Sequence, residues 1–280
     1  MVRVFVAGAS GLIGSQLVRA LRARGDEVRT LPRFRSAPWT LEGADAVVNL
    51  AGASVAARRW NEEYKQEIFD SRVLSTGALV EAMRASRPRV LVNASAVGFY
   101  GGRGDEPIDE SVAAGGSFLA SVSVAWEAEA RKAEDLGVRS VQARTGIVLS
   151  RSGGALGKML PPFKAFVGGP IGSGKQWFPW IHIDDEVAAL LWAIDREKLR
   201  GPLNLVAPGI VIMKDFAKAL GRALHRPALF PVPAAPLKIL LGEFAGELLE
   251  GQRAVPKKLL DSGFQFRFTD VDAALRDLLS

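Results

Sequence analysis

The sequence has no cysteine among its 280 residues, and it has only two histidines and two tyrosines. Without cysteine there can be no disulfide framework, no thiolate nucleophile and no cysteine-ligated metal. With His182 and His225 as the only histidines, a catalytic metal site has little support, and we expect no metal. The lack of disulfides fits a reducing compartment, so we expect a cytoplasmic location.

Long apolar runs are equally scarce. Glycines interrupt the N-terminal stretch MVRVFVAGASGLIG too early for the hydrophobic region of a signal peptide. No segment approaches the ~18 uninterrupted apolar residues that a membrane helix needs. We therefore expect no membrane partner.

The chain also lacks a concentrated patch of one charge, although it is basic overall. Lys and Arg number 36 against 30 for Asp and Glu, which gives a net charge of +6. The basic residues are scattered singly or in pairs, whereas a nucleic-acid-binding protein more often carries a basic stripe with aromatic residues. We therefore expect a phosphorylated small molecule as partner and no nucleic acid. The oligomeric state is not indicated.

What the sequence does contain is an alternation of apolar strands and amphipathic helices. A continuous apolar run such as Arg3–Ala7 is typical of a central parallel strand, and Ile13, Leu17 and Leu21 recur every four residues in the helix that follows. This pattern predicts an α/β fold, a Rossmann-type doubly wound parallel sheet with helices on both faces. The predicted strands are 3–7, 27–31, 46–49, 90–94, 140–144 and 203–206, and the predicted helices are 11–24, 62–85, 121–136 and one after residue 184.

The character of the sequence changes near Pro227. Four prolines, at positions 227, 231, 233 and 236, remove backbone donors and stop helices. We take this segment as the junction between a dinucleotide-binding domain, residues 1–228, and a smaller, mostly helical C-terminal substrate lobe, residues 229–280.

A glycine motif follows the first strand and opens the first helix. Gly8 permits the tight turn, Gly11 lets a pyrophosphate approach the backbone, and Gly14 lets the helix pack closely on the strand. The free amides and the positive dipole at the start of the helix then stabilise phosphate. The motif in this context predicts a dinucleotide site. The residues assigned to it are Gly8, Ser10, Gly11, Leu12, Ile13 and Gly14.

The end of the second strand indicates which dinucleotide is bound. NAD-specific sheets present Asp or Glu there, ~20 residues after the glycine loop, to bond the 2′-hydroxyl of the adenosine ribose. Here the strand runs into Pro32-Arg33-Phe34-Arg35 with no acid. Because a guanidinium suits a 2′-phosphate, Arg33 and Arg35 predict NADP(H), with NAD(H) the less favoured cofactor. Two ordinary surface arginines would give the same sequence.

Three motifs spread along the chain are specific when taken together: GASGLIG at residues 8–14, DAVVNLAG at 45–52 and WIHIDD at 180–185. They resemble the NAD-dependent epimerase/dehydratase family, the extended branch of the short-chain dehydrogenases/reductases. The stretches SAVGFYG at 95–101, RTGIVL at 144–149 and GSGKQW at 172–177 are similar to an atypical subgroup, the epimerase family or sugar-nucleotide epimerase-like proteins. The tail resembles that subgroup's small C-terminal domain of undefined role.

The resemblance implies a cofactor lying across the carboxyl ends of the strands. It places Ser95 near the nicotinamide ribose, and the subgroup implies that Glu67 and Arg72 reach the cofactor. These two lie five residues apart, about 140° around a helix, so they do not form a simple helical ion pair. Two ordinary surface charges are the other interpretation. The residues implied to line the middle of the cofactor are Leu50, Ala51 and Gly52.

The superfamily's usual catalytic pair, Tyr-x-x-x-Lys, is absent. Ile68 stands four residues after Tyr64, and Gly104 stands four residues after Tyr100. We expect Ser95 to polarise a carbonyl and Tyr100 to act as acid in its place, while an aromatic residue capping the sheet is the structural interpretation of Tyr100.

Four other features have structural interpretations. Glu127 is a candidate base that fits a surface helix position better, His182 fits a structural role, and Asp184 fits a helix cap. The segment Gly169–Lys175 nearly matches a nucleotide-triphosphate P-loop, but Gln176 replaces Ser or Thr and no helix is expected next. We interpret it as a loop on the substrate side, where Lys175 can meet an anionic ligand.

Two functions stay open at this point. The first is an NADP-dependent oxidoreductase or epimerase acting on a small polar substrate, with nucleotide-linked compounds among the candidates. The second is a non-catalytic NADP(H)-binding redox sensor or scaffold, which the missing tyrosine–lysine pair favours.

Overall fold

A computed structural model describes residues 1–34 and 38–280 of the chain. Within these ranges no helix combines the length and the apolar character needed to cross a membrane. The strands and helices in chain order are β1 (Arg3–Ala7), α1 (Leu12–Ala23), β2 (Glu27–Thr30), β3 (Ala46–Asn49), α2 (Glu62–Ser86), β4 (Val90–Ala96), α3 (Phe118–Arg131), β5 (Arg139–Thr145), β6 (Ile147–Ser150), α4 (Gly154–Lys164), β7 (Trp177–Phe178), β8 (Trp180–His182), α5 (Ile183–Asp195), β9 (Gly201–Leu205), β10 (Val211–Ile212), α6 (Met213–Leu224), α7 (Ala234–Leu241), α8 (Phe244–Leu249), α9 (Lys257–Asp261) and α10 (Val271–Leu279).

Six parallel strands form the main sheet in the order β2-β1-β3-β4-β5-β9. The chain moves outward from β1 to β2 and then returns to place β3 on the other side of β1. The carboxyl ends of β1 and β3 therefore flank the point where the strand order reverses, which is where open α/β sheets bind ligands. The predicted doubly wound Rossmann-type fold is confirmed.

The strands form where the sequence predicts because both faces of the sheet are covered. Val4 and Val6 of β1 join a hydrophobic cluster with α1 and α5, while Phe5 joins a second cluster on the opposite face with α2 and α3. Alternate residues of one strand thus enter different cores, which requires a continuous apolar run.

Some boundaries differ from the sequence prediction. The helix predicted from Ser121 begins at Phe118, because the Ser117 side chain caps it by accepting the backbone N–H of Ala120. Its last turn, Lys132–Leu136, is a 3-10 helix. The strand β4 continues to Ala96 because its pairing with β5 extends that far.

The C-terminal segment packs on the same core as the sheet. Phe268 and Leu275 belong to the hydrophobic cluster that also contains Val4 and Val6 of β1. The buried carboxylate of Asp185, in α5, accepts backbone N–H groups from Arg267 at 2.8 Å and from Phe268 at 2.9 Å. The sheet is thereby connected to the chain's last helix, and the division at residue 228 stays a prediction.

Candidate cofactor cleft and the polar network beside it

The glycine loop between β1 and α1 has the close packing that its sequence predicts. Gly8 adopts a positive φ of 75°, and a Cβ added there would lie 2.5 Å from the carbonyl oxygen of Leu50. A Cβ on Gly14 would overlap the carbonyl oxygen of Gly8. Side chains at these two positions would push apart β1, α1 and the segment after β3.

The first turn of α1 offers backbone donors to a ligand. Gly11 precedes the helix and provides no side-chain cap, and the first turn contains no acidic residue. The amides of Leu12, Ile13 and Gly14 are among the N–H groups that a helix leaves without an internal acceptor. Together with the helix dipole, they suit an anion such as a pyrophosphate.

A cleft of about 1070 Å³ opens in front of this turn. It contains most of the residues predicted to bind the cofactor, whereas Leu12, Ile13, Gly14, Arg72 and Ser95 are not part of its wall. Arg35 lies outside the described residues. The residues that line the cleft are Gly8, Ala9, Ser10, Gly11, Thr30, Leu31, Pro32, Arg33, Phe34, Leu50, Ala51, Gly52, Ala53, Glu63, Gln66, Glu67, Asp70 and Ser71.

Arg72 lies directly behind Gly52. A Cβ on Gly52 would be 3.1 Å from the Arg72 Cζ, and the guanidinium stands 5.1 Å from the ring centre of Trp126. Its Nη1 donates to the Ile68 carbonyl oxygen at 3.1 Å, and burial lowers the pKa of Arg72 to about 10. In the described part of the chain no carboxylate lies within ion-pair distance of it. A still-protonated cation in this position favours an anionic ligand.

Glu67 lines the same cleft. Its carboxylate pairs with Arg58 at 2.5 Å and not with Arg72, as their helical spacing predicts. Both partners are about half exposed. The ion pair therefore joins α2 to the loop after β3 at the rim.

Ser95 belongs to a buried polar network at the carboxyl end of β4. Its hydroxyl donates to Glu127 Oε1 at 2.7 Å. Arg144 donates to the same carboxylate twice, from Nε to Oε1 at 2.7 Å and from Nη2 to Oε2 at 2.9 Å. The expectation that Glu127 lies at the surface is wrong: it is fully buried, because α3 turns this face towards Arg144 on β5.

Tyr100 lies on the far side of Arg144. Its hydroxyl donates to Asn204 Oδ1 at 2.7 Å and accepts from Arg144 Nη1 at 2.9 Å. The side chain is fully buried, and this burial raises the pKa of the Tyr100 phenol. The hydroxyl is thus held protonated inside the network and is not part of the cleft wall, so its predicted role as acid stays a prediction.

Sequence reasoning missed Arg144 and Asn204 as site residues. The available signal was a charged residue inside a predicted strand, Arg144, since a buried arginine must find acceptors. Its partners Glu127 and Tyr100 lie 17 and 44 residues away in the chain. Only the packing of α3 and β4 against β5 identifies them.

His182 and Asp184 begin α5 in a way that differs from the prediction. The cap is His182, whose Nδ1 accepts the backbone N–H of Asp184 at 3.1 Å, so the assignment of Asp184 as the cap is wrong. A neutral ring that accepts at Nδ1 carries its proton on Nε2, which faces Asp277 at 3.4 Å. Arg267 pairs with both aspartates. These contacts confirm a structural role for His182.

The loop Gly169–Lys175 leads into the short strand β7 and not into a helix. Gln176 anchors it by donating from Nε2 to the Ile171 carbonyl oxygen at 2.9 Å. A P-loop is therefore excluded, since that motif cradles phosphate at a helix start. The contact of Lys175 with an anionic ligand stays a prediction.

Comparison with known proteins fits this geometry. A profile of the NAD dependent epimerase/dehydratase family matches residues 4–205, and a domain of unknown function, DUF1731, matches residues 232–278. The chain belongs to the NAD-dependent epimerase/dehydratase family. An epimerase family protein of Mycobacterium bovis is 43% identical over 97% of this chain and 96% of its own length. The human epimerase family protein SDR39U1 is 39% identical over the full length of both chains.

Solved structures show the same fold. The crystal structure of human SDR39U1 with NADPH superimposes with a TM-score of 0.93 at 37% identity, covering 99% of each chain. MoeE5 in complex with UDP-glucose and NAD gives a TM-score of 0.81 at 20% identity, covering 99% of this chain and 97% of its own. At that identity the second likeness shows the fold alone.

Proposed function

We propose that this protein is an NADP(H)-dependent oxidoreductase or epimerase acting on a small polar substrate, with nucleotide-linked compounds among the candidates. The observation that carries the proposal is the cleft itself. A glycine loop and an uncapped helix start face it, and the cation Arg72 lies behind it without a carboxylate among the described residues. The human relative crystallised with NADPH, of similar sequence over its whole length, supports the same cofactor.

The residues present fit a dinucleotide phosphate along the length of the cleft. The amides at the start of α1 would hold the pyrophosphate, and Arg33, beside Thr30 at the end of β2, would hold the 2′-phosphate. The segment after β3 would line the middle of the cofactor, with Arg72 behind Gly52 adding positive charge. When bound, NADP(H) supplies the hydride acceptor or donor.

NADP(H) preference is tested by titrating the protein with NADPH and with NADH, using the fluorescence of the reduced nicotinamide. Replacing Arg33→Ala should weaken NADPH binding by ~10-fold or more, because a charge-assisted bond to the 2′-phosphate is lost. Affinity for NADH should stay unchanged, since its 2′-hydroxyl makes no such bond. Equal affinity of the unaltered protein for both nucleotides contradicts the assignment.

The second candidate, a redox sensor or scaffold without turnover, is favoured by one observation. Where the superfamily carries its tyrosine–lysine pair on this helix, α3 has Ser121, which donates to the Phe118 carbonyl oxygen, and Ala125 one turn later. Neither side chain can handle a proton as a phenol or an amine does.

The two candidates separate by turnover. Protein loaded with NADPH is offered carbonyl compounds and sugar nucleotides, and loss of absorbance of the reduced nicotinamide is followed. Turnover that falls by more than ~100-fold in Ser95→Ala supports the enzyme with Ser95 in direct proton handling. Tight NADPH binding without turnover across the panel supports the sensor. The cytoplasmic location stays a prediction.

A further inference from the structure

Resting on the proposed oxidoreductase function, we propose that Glu127 takes the place of the missing tyrosine–lysine pair by receiving a proton through Ser95. Ser95 Oγ would touch the substrate hydroxyl, and Glu127 would act behind it. Arg144 would keep the carboxylate ionised in the protein interior.

The hydrogen bond between Ser95 and Glu127 determines which way the serine hydroxyl points. An ionised carboxylate can only accept hydrogen bonds, so the 2.7 Å contact between Ser95 Oγ and Glu127 Oε1 must use the serine proton. The serine oxygen then has only lone pairs to offer to a ligand. It is suited to accept a hydrogen bond from a substrate hydroxyl, and it does not polarise a carbonyl in this state.

Glu127 and Arg144 form an ion pair. Glu127 is fully buried, and Arg144 binds both of its carboxylate oxygens through two N–H groups. Burial by itself lowers the pKa of Arg144, yet its bonds to Glu127 outweigh burial and leave that pKa raised. The pair is neutral overall, and a second cation is close by, since Arg131 Nη1 lies 3.8 Å from Glu127 Oε2.

When Glu127 accepts a proton, Arg144 keeps its positive charge in the protein interior and loses the counter-ion that Glu127 provided. Its Cζ lies 3.5 Å from the ring centre of Phe99, and its Nη1 donates to the Tyr100 hydroxyl at 2.9 Å. The ring face and the phenol oxygen stabilise this cation, which lowers the cost of the transfer.

The pair lies beside the cofactor cleft, although neither Ser95 nor Glu127 lines it. Gly52 lines the cleft, Arg72 lies against Gly52, and Arg72 stands over the Trp126 ring. Trp126 immediately precedes Glu127 on α3. Ser95 also lies at the carboxyl end of β4, next to the strand that leads into Gly52.

The reaction balances in the oxidising direction. Oxidised NADP, when bound, would accept the electron pair of the substrate C–H bond as hydride, and the carbon–oxygen bond would become double. The substrate O–H bond breaks and its proton forms a new bond to Ser95 Oγ, while the original Ser95 proton moves to Glu127 Oε1. In the reducing direction both protons return, so an epimerase would regain its starting state.

The test compares four variants, Ser95→Ala, Ser95→Thr, Glu127→Gln and the double variant Glu127→Gln/Arg144→Gln. Turnover is measured with NADPH and 9,10-phenanthrenequinone, and with oxidised NADP and UDP-glucose, UDP-galactose and UDP-glucuronic acid. Ser95→Ala and Glu127→Gln should lose at least ~100-fold in kcat, and Ser95→Thr should stay within ~10-fold because it keeps the hydroxyl. All should bind NADPH within about threefold of the unaltered protein.

Two further readouts distinguish a proton path from a merely structural role. The Ser95 hydroxyl proton should give a downfield proton NMR signal in the cofactor-free protein that disappears in Ser95→Ala and in Glu127→Gln. The solvent deuterium isotope effect on kcat should indicate two protons in flight in the unaltered enzyme. The double variant removes both buried charges together and replaces Glu127→Gln if the single change prevents folding.

Matched controls are Ser140→Ala, a buried serine of β5 that bonds the α3 backbone at Ala130, and Glu129→Gln, a partly buried position on α3 that pairs with Lys132. Both should leave kcat unchanged. The proton path is overturned if Glu127→Gln, or the folded double variant, binds NADPH and turns over at the normal rate. The oxidoreductase function stands in that case. An unaltered protein that binds NADPH and turns over no compound overturns the proposed function first, and the proton path with it.

Discussion

Arg72 and Glu186 are both ionisable side chains without an ion-pair partner among the described residues, and the two behave differently at neutral pH. Arg72, with a pKa lowered to about 10, stays protonated at neutral pH and favours an anionic ligand. Glu186 is fully buried in α5, and burial raises its pKa to about 8, so it is neutral there. Only one of its oxygens is bonded, by the Thr145 hydroxyl at 2.8 Å. The cation thus indicates a ligand site, and the acid affects stability.

Glu186 should make the protein less stable as pH rises. The folded state holds the proton up to about pH 8, whereas the unfolded chain releases it above the ordinary value of 4.5. The folded state therefore binds more protons between these values, and the free energy of unfolding falls across this window, by roughly 3–4 kcal/mol. In Glu186→Gln, which carries no titrating group, that fall should largely disappear.

Urea unfolding followed by tryptophan fluorescence at pH 5 and pH 8 measures this difference. The exposed change Glu134→Gln is the control and should retain the fall in stability of the unaltered protein. A stability difference between the two pH values that is the same with and without the Glu186 carboxyl would contradict the argument.

At the scale of elements, α1 and α3 position the site by how closely they approach the sheet. The helix α1 can rest on the loop after β1 only because position 14 lacks a Cβ. The helix α3 brings Glu127 to Ser95 and Trp126 to Thr76, which accepts the indole N–H at 2.9 Å. Each approach places backbone or side-chain groups at the carboxyl ends of neighbouring strands.

The approach of α1 is tested by Gly14→Ala. The new methyl group would overlap the backbone of Gly8, so α1 must shift, and stability should fall by about 1–3 kcal/mol. NADPH affinity should fall with it, because the amides of the first turn move away from the pyrophosphate. Chemical unfolding and fluorescence titration measure the two effects.

Gly157→Ala provides the matched control, since Gly157 is also helical and a Cβ there meets open space. It should leave NADPH binding unchanged and stabilise the protein by up to ~1 kcal/mol. If Gly14→Ala behaves like Gly157→Ala, the packing argument for the glycine loop is wrong.

At the scale of the whole molecule, one hydrophobic core extends from the sheet through α1, α5 and α6 to α10. The tail is fixed to it by Asp185, whose pKa is raised by burial although two backbone N–H groups bind the carboxylate. The last helix therefore shares its stability with the cofactor-binding half. The family's domain of undefined role is, in this chain, packed on the sheet's own core.

Replacing Asp185→Asn should loosen this connection. The asparagine amide can accept only one of the two backbone N–H groups, and its own NH₂ group would face the other. The free energy of unfolding should therefore fall by roughly 2–3 kcal/mol. Limited proteolysis should cut first in the segment before α10. The neighbouring change Asp184→Asn affects an exposed ion pair with Arg267 and should cost less than ~1 kcal/mol. Equal resistance of both variants to the protease would rule out this role of Asp185.

The sequence by itself determined the fold class, the glycine loop and the family. These depend on local patterns: apolar runs buried on both faces of a sheet, helical periodicity, and glycines at a strand–helix turn, as in Gly8 and Gly14. It also showed that the tyrosine–lysine pair is missing, because that pair is defined by spacing along a single helix.

Only the tertiary structure decided what stands in its place and which charges meet. Glu127 was expected at the surface because its partner Arg144 lies on another element. Asp184 was expected to cap α5, but the His182 ring is the group that accepts the backbone N–H. Burial and pairing of a charged side chain are set by the packing of distant segments. Since no local pattern encodes the distance between Ser95 and Glu127, 32 residues apart in the chain, the sequence alone did not reveal that contact.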